Sequence, residues 1–202
     1  MKRAYLILTL CGLGLSGCAV TPDRSPDDVA EGALCGDPRL TGKVLTAIES
    51  SRAGCGIAAP IALSGIGAVV LKPAAVVDCQ TARTLADWTV DAERQTRAAT
   101  GQPLARLRIA ASYACRGING RPGARLSEHA KGKAVDISAL GLADGREITV
   151  LEGWGGRQGT LLRRLWRTAC GPFGTVLGPE ADRFHRDHFH FDRAERRQPY
   201  CR

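Results

Sequence analysis

Ten residues at 127–136, Ser-Glu-His-Ala-Lys-Gly-Lys-Ala-Val-Asp, include side chains that could bind a metal ion. His129 and Asp136 lie on either side of Gly132, which can let the chain turn sharply between them. A short helical turn at His129, followed by a strand that carries Asp136, would bring the two side chains to one point. This stretch therefore predicts half of a metal site.

The other half is expected further along the chain, in Asp-His-Phe-His-Phe-Asp at 187–192. Successive side chains of a strand point to opposite faces, so His188 and His190 would project together while Phe189 and Phe191 pack into the core. The rise of a strand separates the two imidazoles by about 7 Å. One histidine can therefore bind a metal while the other stands beside it.

Imidazole and carboxylate ligands together suit zinc. His129, Asp136 and one of the two later histidines would leave a fourth position to water, which is typical of catalytic zinc sites. Zinc lowers the pKa of bound water to near neutral, and the resulting hydroxide can attack an amide carbonyl. Two neighbours have open roles. His185 could support a ligand from behind or be a solvated loop residue, and the loop residue is favoured. Asp192 could either orient the ring of His190 or cap the strand end.

The pattern Ser-x-His-x-x-Gly-x-Ala-x-Asp at 127–136, followed by His-x-His at 188–190, resembles the signature of the lysostaphin, D-Ala-D-Ala peptidase and hedgehog group of zinc proteins. The chain from about Cys35 to Cys201 is also similar to the extensin-like C-terminal domain family of bacteria. That second similarity lies in the cysteine spacing and in the phrases Ser-Tyr-x-Cys-Arg, Ser-Glu-His-Ala and Asp-His-Phe-His.

The resemblance to the zinc group implies that His129, Asp136 and His190 bind zinc. It also implies that His188 assists the attacking water or steadies the oxyanion. Some peptidases of that group place a catalytic glutamate three residues before the last ligand, where this chain has Asp187. Aspartate is shorter and would face away from His190 in a strand, so His188 is the favoured general base and Asp187 the alternative.

Three further residues are predicted to contact substrate. Arg116 resembles an arginine that binds substrate carboxylate or stabilises developing negative charge in those peptidases, and guanidinium pairs with carboxylate through two hydrogen bonds. Ser127 and Tyr113 could donate hydrogen bonds nearby. The alternative for Arg116 is a surface charge beside a disulfide.

The N-terminal residues indicate export. Residues 1–17 combine a basic start with an apolar run, and Leu-Ser-Gly-Cys at 15–18 resembles the lipobox of bacterial lipoproteins. We therefore expect a signal peptide over 1–17, a lipid on Cys18, a lipidated tether over 18–34 and an extensin-like, zinc peptidase-like domain over 35–202. An ordinary cleaved signal is the alternative.

Six of the eight cysteines remain after removal of the signal and lipidation of Cys18, and we expect them to form three disulfides in an oxidising compartment. They lie too far apart in sequence for a thiolate zinc site. The sequence does not choose among the possible pairings. The six are Cys35, Cys55, Cys79, Cys115, Cys170 and Cys201.

Hydrophobic periodicity predicts an α+β fold, with a small antiparallel sheet, helices packed to one side and disulfides reinforcing its edges. Helical patterns cover 40–50, 81–99 and 157–170, the second of them capped by Asp78. Strand patterns cover 104–113, 133–138, 147–151, 173–177 and 187–192. The metal site is expected on the open face of this sheet.

The net charge of +8 would attract polyanions, but the arginines are scattered and no basic run alternates with aromatic residues. Nucleic acid is therefore not the expected partner. The predicted function is a zinc-dependent hydrolase, lipid-anchored to a membrane on the periplasmic side of the bacterial envelope, that cleaves amide bonds in peptidoglycan peptides or crosslinks. The alternative is a non-catalytic cell-wall-binding or structural module that retains the metal site, because fold and ligands alone do not establish activity.

Overall fold

The computed structural model describes residues 34–202, which form one mixed β-sheet with helices packed against it. The predicted signal, the lipidation site Cys18 and the tether up to residue 33 lie outside the described residues. Leu34, the last residue of the predicted tether, is already buried in the core. Among the described residues, no helix is both long enough and apolar enough to cross a membrane.

Within the described part of the chain, nine strands make up the sheet: β1 (Leu40–Val44), β2 (Pro60–Ile66), β3 (Val69–Asp78), β4 (Leu104–Ala111), β5 (Ala134–Leu142), β6 (Glu147–Thr149), β7 (Thr175–Leu177), β8 (Phe189–Asp192) and β9 (Tyr200–Cys201). The helices of the same region are α1 (Cys79–Thr100), α2 (Val150–Gly153) and α3 (Gly159–Ala169), with short 3-10 turns at Leu34–Gly36, Ile118–Gly120 and Glu128–Lys131. The strand order is β1-β2-β3-β4-β5-β8-β7-β9, and β6 pairs with the later part of β5.

The predicted α+β class is confirmed, but the sheet is larger than expected and is mixed, since β3–β4 and β7–β9 are parallel pairs. Parallel neighbours need a crossover connection, and α1 carries the chain from the end of β3 to the start of β4. Asp78 caps α1 as predicted, because its carboxylate accepts a hydrogen bond from the backbone N–H of Thr81. Gly101, in the left-handed conformation, ends the helix.

The sheet shares one apolar core with α1 and α3. Phe189 and Phe191 of β8 point into this core, as their alternation in the sequence predicted. Trp88 of α1 packs edge-on against Phe191 with ring centroids 5.1 Å apart, and its indole N–H donates to the carbonyl of Leu165 in α3. His190, between the two phenylalanines, therefore faces the opposite side of the sheet.

The predicted helix over 40–50 is wrong, because Leu40–Val44 form β1 and pair antiparallel with β2. Such a short apolar pattern fits either period, and pairing with an apolar strand decides in favour of extended backbone. The helices predicted over 81–99 and 157–170 are confirmed as α1 and α3 with slightly shifted ends.

The six cysteines of the described region form three disulfides, as predicted. The pairs are Cys35–Cys79, Cys55–Cys115 and Cys170–Cys201. The first joins the N-terminal turn to α1, the second joins the segment before β2 to the segment after β4, and the third joins the end of α3 to β9. The second and third lie next to segments that line the candidate site.

Candidate metal centre

The three predicted metal ligands meet on the face of the sheet opposite the core, where β5 and β8 pair. Asp136 lies directly across from His190 in this antiparallel pair, so the two side chains project from the same face. His129 comes from the 3-10 turn just before β5. One ligand atom from each of the three lies within 4.8 Å of the others, and all three residues are buried. We call these residues the metal group.

Gly132 allows the turn that carries His129 to continue directly into β5. It ends the turn in the left-handed conformation, with φ of 68°, and its N–H donates to the carbonyl oxygens of Glu128 and His129. A Cβ at this position would collide with the side chain of Ile57. Ser127 begins the turn, and its hydroxyl accepts a hydrogen bond from the N–H of His129 at 3.4 Å. The glycine and serine of the motif thus position the histidine.

Outer hydrogen bonds orient both imidazoles of the metal group. Nδ1 of His129 lies 2.5 Å from the carbonyl oxygen of Ser112, which can only accept, so Nδ1 carries a proton and Nε2 faces inward. Nε2 of His190 donates to the carboxylate of Asp192 at 2.9 Å, so Nδ1 faces inward. Asp192 thereby takes the orienting role that the sequence left open, and it also accepts a hydrogen bond from the N–H of Ala194.

Three potential acceptors converge at the centre of the metal group. His129 Nε2 lies 3.1 Å from both Asp136 Oδ1 and His190 Nδ1, and His190 Nδ1 lies 2.8 Å from Asp136 Oδ1. A proton on one of these atoms is shared poorly among three partners, whereas a divalent cation accepts a lone pair from each. Two imidazole nitrogens and one carboxylate oxygen are a donor set that suits zinc. The residues present therefore fit a metal ion.

Without a metal, the charges of the metal group compensate one another. Burial raises the pKa of Asp136, but the close polar contacts with His129 and His190 outweigh burial and hold that pKa well below its usual range. Burial likewise opposes a charged His190, yet its hydrogen bonds to Asp136 and Asp192 raise its pKa to about 9. The pKa of Asp192 is lowered because the hydrogen bond from His190 outweighs the effect of burial. A metal ion would use the lone pair of the inner nitrogen of His190, so it would compete with a proton at that atom.

The metal group opens onto a cleft of about 480 Å³. Arg116 and Arg125, in the segment between β4 and β5, line one side of it, and Arg196 and Tyr200, near the end of the chain, also line it. This volume falls within the range of ordinary ligand sites, about 300–1,000 Å³. A peptide segment can therefore reach the metal group.

His188 lies beside the metal group. It precedes Phe189, the first residue of β8, and its Nε2 is 3.7 Å from Asp136 Oδ2. Its Nδ1 lies 2.8 Å from a carboxylate oxygen of Asp187, whose side chain is 66% exposed. Asp187 therefore holds the ring of His188 with Nε2 directed toward the site.

Arg116 and Ser127, two of the predicted substrate-binding residues, line the cleft. A terminal nitrogen of Arg116 is 3.9 Å from Asp136 Oδ2, and its side chain is 38% exposed. The preceding residue, Cys115, is bonded to Cys55, so Arg116 follows a crosslinked position and also approaches the metal group.

Tyr113 is the predicted substrate-binding residue that the structure does not bring to the cleft lining. It follows β4, and its N–H donates to the carbonyl of Val76 on the neighbouring strand β3. The adjacent residue, Ser112, contributes its carbonyl oxygen to His129 instead. The tyrosine in the motif therefore marks a segment that supports the site through its backbone.

His185, expected to be a solvated loop residue, is buried against the site, so this prediction is wrong. It is 7% exposed, and its ring centroid lies 5.3 Å from that of His188 and 5.7 Å from that of His190. Its Nδ1 lies 2.8 Å from a carboxylate oxygen of Asp182. Burial lowers its pKa although Asp182 opposes that shift. The Asp-x-x-His spacing, typical of a local carboxylate–imidazole pair, is the one sequence signal that could have identified it.

The fold and the site together define a disulfide-reinforced α+β domain with a candidate metal centre in a cleft. Residues 39–202 match the family described as extensin-like protein C-terminus. Because this match covers most of the chain, the protein belongs to the extensin-like C-terminal family. A search of curated proteins found no match, and neither did a search of solved structures.

Proposed function

We propose that the protein is a zinc-dependent hydrolase that cleaves amide bonds in peptidoglycan peptides or crosslinks, with a reaction like that of D,D-peptidases. The observation that carries the proposal is the convergence of His129 Nε2, Asp136 Oδ1 and His190 Nδ1 beside an open cleft. Each imidazole directs its outer nitrogen to a separate acceptor. Outer partners of this kind are a regular feature of metal-binding histidines.

The side chains around the metal group have positions suited to amide hydrolysis. Bound by the three ligands, zinc would supply a Lewis acid and a water that ionises near neutral pH. His188, held through Nδ1 by Asp187, presents Nε2 to accept a proton from a nucleophile and to return it to the departing amine. Arg116 can pair with a substrate carboxylate or with the negative charge that develops on the carbonyl oxygen.

The cellular location is part of the proposal. The Leu-Ser-Gly-Cys motif at 15–18 supports a lipid anchor at Cys18 that holds the domain at a membrane on the periplasmic side of the envelope. The disulfides of the domain are compatible with that oxidising compartment. The resemblance of the motif at 127–136 to that of the lysostaphin and D-Ala-D-Ala peptidase group supports peptidoglycan as the substrate.

Metal analysis combined with a peptidoglycan digest tests the proposal. We expect about one zinc per chain and the release of new muropeptides from purified peptidoglycan, and a chelator should stop that release. His188→Ala should keep its zinc, because His188 is not a ligand, and should lose activity by about 10²–10⁴-fold, the usual contribution of a general acid–base group.

Other outcomes of the same experiment would establish the alternative. If the chain binds zinc and is pulled down by cell wall but releases no muropeptides, it is a non-catalytic wall-binding or structural module that retains the metal site. The lipid anchor has its own test, because Cys18→Ser should change processing and membrane partition. Unchanged size, processing and partition of Cys18→Ser would contradict the anchor.

A further inference from the structure

The cleft has a second side to which the proposed reaction assigns no role. It is formed by Thr175 on β7, Arg196 after β8 and Tyr200 on β9, all of which line the cleft. Nε of Arg196 donates to the Thr175 hydroxyl at 2.9 Å, and the guanidinium carbon lies 5.5 Å from the centroid of the Tyr200 ring. We call these three residues the C-terminal wall.

The guanidinium of Arg196 is held in place, and no carboxylate of residues 34–202 pairs with it. The hydrogen bond to Thr175 uses Nε and leaves both terminal nitrogens for a ligand. Arg196 takes part in none of the ion pairs formed within residues 34–202, whereas Arg39, Arg108 and Arg193 each pair with a carboxylate. A guanidinium group that is already oriented loses less side-chain entropy when it binds an anion.

The fold itself fixes the C-terminal wall. β9 pairs with β7, and the N–H of Tyr200 donates to the carbonyl of Gly174. The next residue, Cys201, is bonded to Cys170 at the end of α3. A Cβ on Gly174 would collide with the carbonyl oxygen of Ala194, so the segment after β8 lies tightly against the residue before β7. The wall is therefore part of the scaffold.

Arginine charge dominates the cleft because its carboxylates already have partners. Among the residues that the structure describes, three acidic side chains line the cleft, namely Glu128, Asp136 and Asp192. Each already has a partner, since Glu128 pairs with Lys131, Asp136 belongs to the metal group, and Asp192 accepts hydrogen bonds from His190 and from the N–H of Ala194. An anionic ligand at Arg196 therefore meets little opposing negative charge, whereas at Arg116 it shares the guanidinium with Asp136, 3.9 Å away.

The sheet sets the distance between the residues that Arg116 and Arg196 contact, which we call their anchor points. Arg116 approaches Asp136 on β5, whereas Arg196 is anchored to Thr175 on β7, with β8 in between. Thr175 is in register with Asp192 and so faces the same side of the sheet. Asp136 is in register with His190, two residues before Asp192 on β8. Two strand spacings of about 4.8 Å and a rise of about 3.4 Å per residue place the two anchor points about 12 Å apart. An extended peptide spans that distance in about three to four residues.

We propose that the C-terminal wall is a second carboxylate subsite, and that the substrate is an extended acidic peptide with two carboxylates about three to four residues apart. One carboxylate of the peptide binds at Arg116 and the other at Arg196, so that the peptide backbone between them passes over the metal group. The cleavage of this peptide rests on the proposed function, but its binding does not. The half-exposed ring of Tyr200 and the side chain of Ile118 offer apolar surface along the cleft.

A set of uncleavable peptides tests the subsite. The probe is a four-residue peptide with a glutamate at its first position, a free C-terminal carboxylate and a ketomethylene unit in place of the central amide. Two companion peptides lack one charge each, the first through glutamine in place of glutamate and the second through a C-terminal amide. Affinities are measured by calorimetry on the full mature chain with its metal, and again after chelation.

We expect the diacid to bind about tenfold more tightly than either companion, since one charge-assisted hydrogen bond is worth about one decade of affinity. Arg196→Gln should weaken the diacid about tenfold and remove the discrimination against one companion only. Arg116→Gln should remove the discrimination against the other. Arg197→Gln is the matched control, because it removes the same charge at the next exposed residue, outside the cleft lining.

Metal content and unfolding temperature separate a lost anion contact from a loosened metal group. Both should stay unchanged in Arg196→Gln, and a loss of metal in that variant would overturn the subsite in favour of a supporting role for the arginine. Equal affinity for the diacid and its companions, or equal weakening by Arg197→Gln, would also overturn it. If discrimination persists in a chain that releases no muropeptides, the subsite stands and the hydrolase fails.

Discussion

The metal group and the arginines that flank it are held in place by different means. Asp136 and His190 face each other on paired strands and are 3% and 7% exposed, so strand register and burial set their geometry. The arginines stand on irregular segments next to disulfides: Arg116 follows Cys115, and the wall that contains Arg196 ends beside Cys201. Strand pairing therefore sets the positions of the metal-group atoms, and disulfides restrain the irregular segments that carry the arginines. The two regions should respond to different substitutions.

Asp136→Asn should have the largest effect, because it breaks the metal group itself. The amide retains the size of the side chain but removes the charge that faces buried His190 and stabilises its protonated form. Loss of one partner of a buried pair costs roughly 3–5 kcal/mol. Metal affinity should fall by more than the 10–100-fold that is typical of losing an outer partner. Metal analysis and denaturant unfolding measure the two effects.

The control for this substitution is Asp87→Asn, which removes a carboxylate that is 68% exposed and pairs with Arg39. It should leave metal content unchanged and stability nearly so. Full metal content and wild-type stability in Asp136→Asn would show that strand register does not create a metal site here.

Two double cysteine-to-serine variants test whether strand pairing and disulfides hold different parts of the site in place. The Cys170–Cys201 and Cys35–Cys79 disulfides join residues 31 and 44 positions apart, so loss of either should cost about 3–4 kcal/mol of stability by a similar effect on the unfolded chain. Only loss of Cys170–Cys201 should weaken binding of the diacid, because that bond restrains β9 and Tyr200. Neither loss should remove the metal.

Loss of the Cys35–Cys79 disulfide is the matched control for stability, since it joins the N-terminal turn to α1 and neither cysteine lines the cleft. Denaturant unfolding, calorimetry with the diacid and metal analysis are measured on both double variants. Equal weakening of the diacid in both would mean that general loosening, and not the C-terminal wall, governs binding.

The same contrast explains which parts of the site could be predicted from the sequence. The alternation in Phe189-His190-Phe191 predicted which side chains enter the core, and Gly132 predicted a turn after His129; both follow from local rules. The C-terminal wall was not predicted, because it depends on the register of β7 with β8 and on the parallel pairing of β7 with β9. No local pattern specifies either.

Prediction of the fold was limited in the same way, because local patterns were predictable and the pairing of distant segments was not. Helix α1 was predicted from its apolar stripe and from Asp78 at its cap, which act within a few residues. Strand β1 was interpreted as a helix, because a short apolar segment fits both periods until its partner β2 is known. The number of disulfides was predictable from the count of cysteines, but their pairing depends on which segments the complete fold brings together.

Asp187→Asn should have the smallest effect, and it separates the two assignments of the general base. The carboxylate of Asp187 contacts Nδ1 of His188 from an exposed position, and an exposed pair contributes at most about 1 kcal/mol. The amide oxygen of asparagine can still accept from Nδ1, so kcat should fall about fivefold at most while metal content and KM stay unchanged. Muropeptide release is measured beside that of His188→Ala, with Glu195→Gln as an exposed control. A loss as large as that of His188→Ala would assign the reacting proton to Asp187. In that case an exposed turn residue, and not the less exposed His188 beside the metal group, would carry the proton transfer.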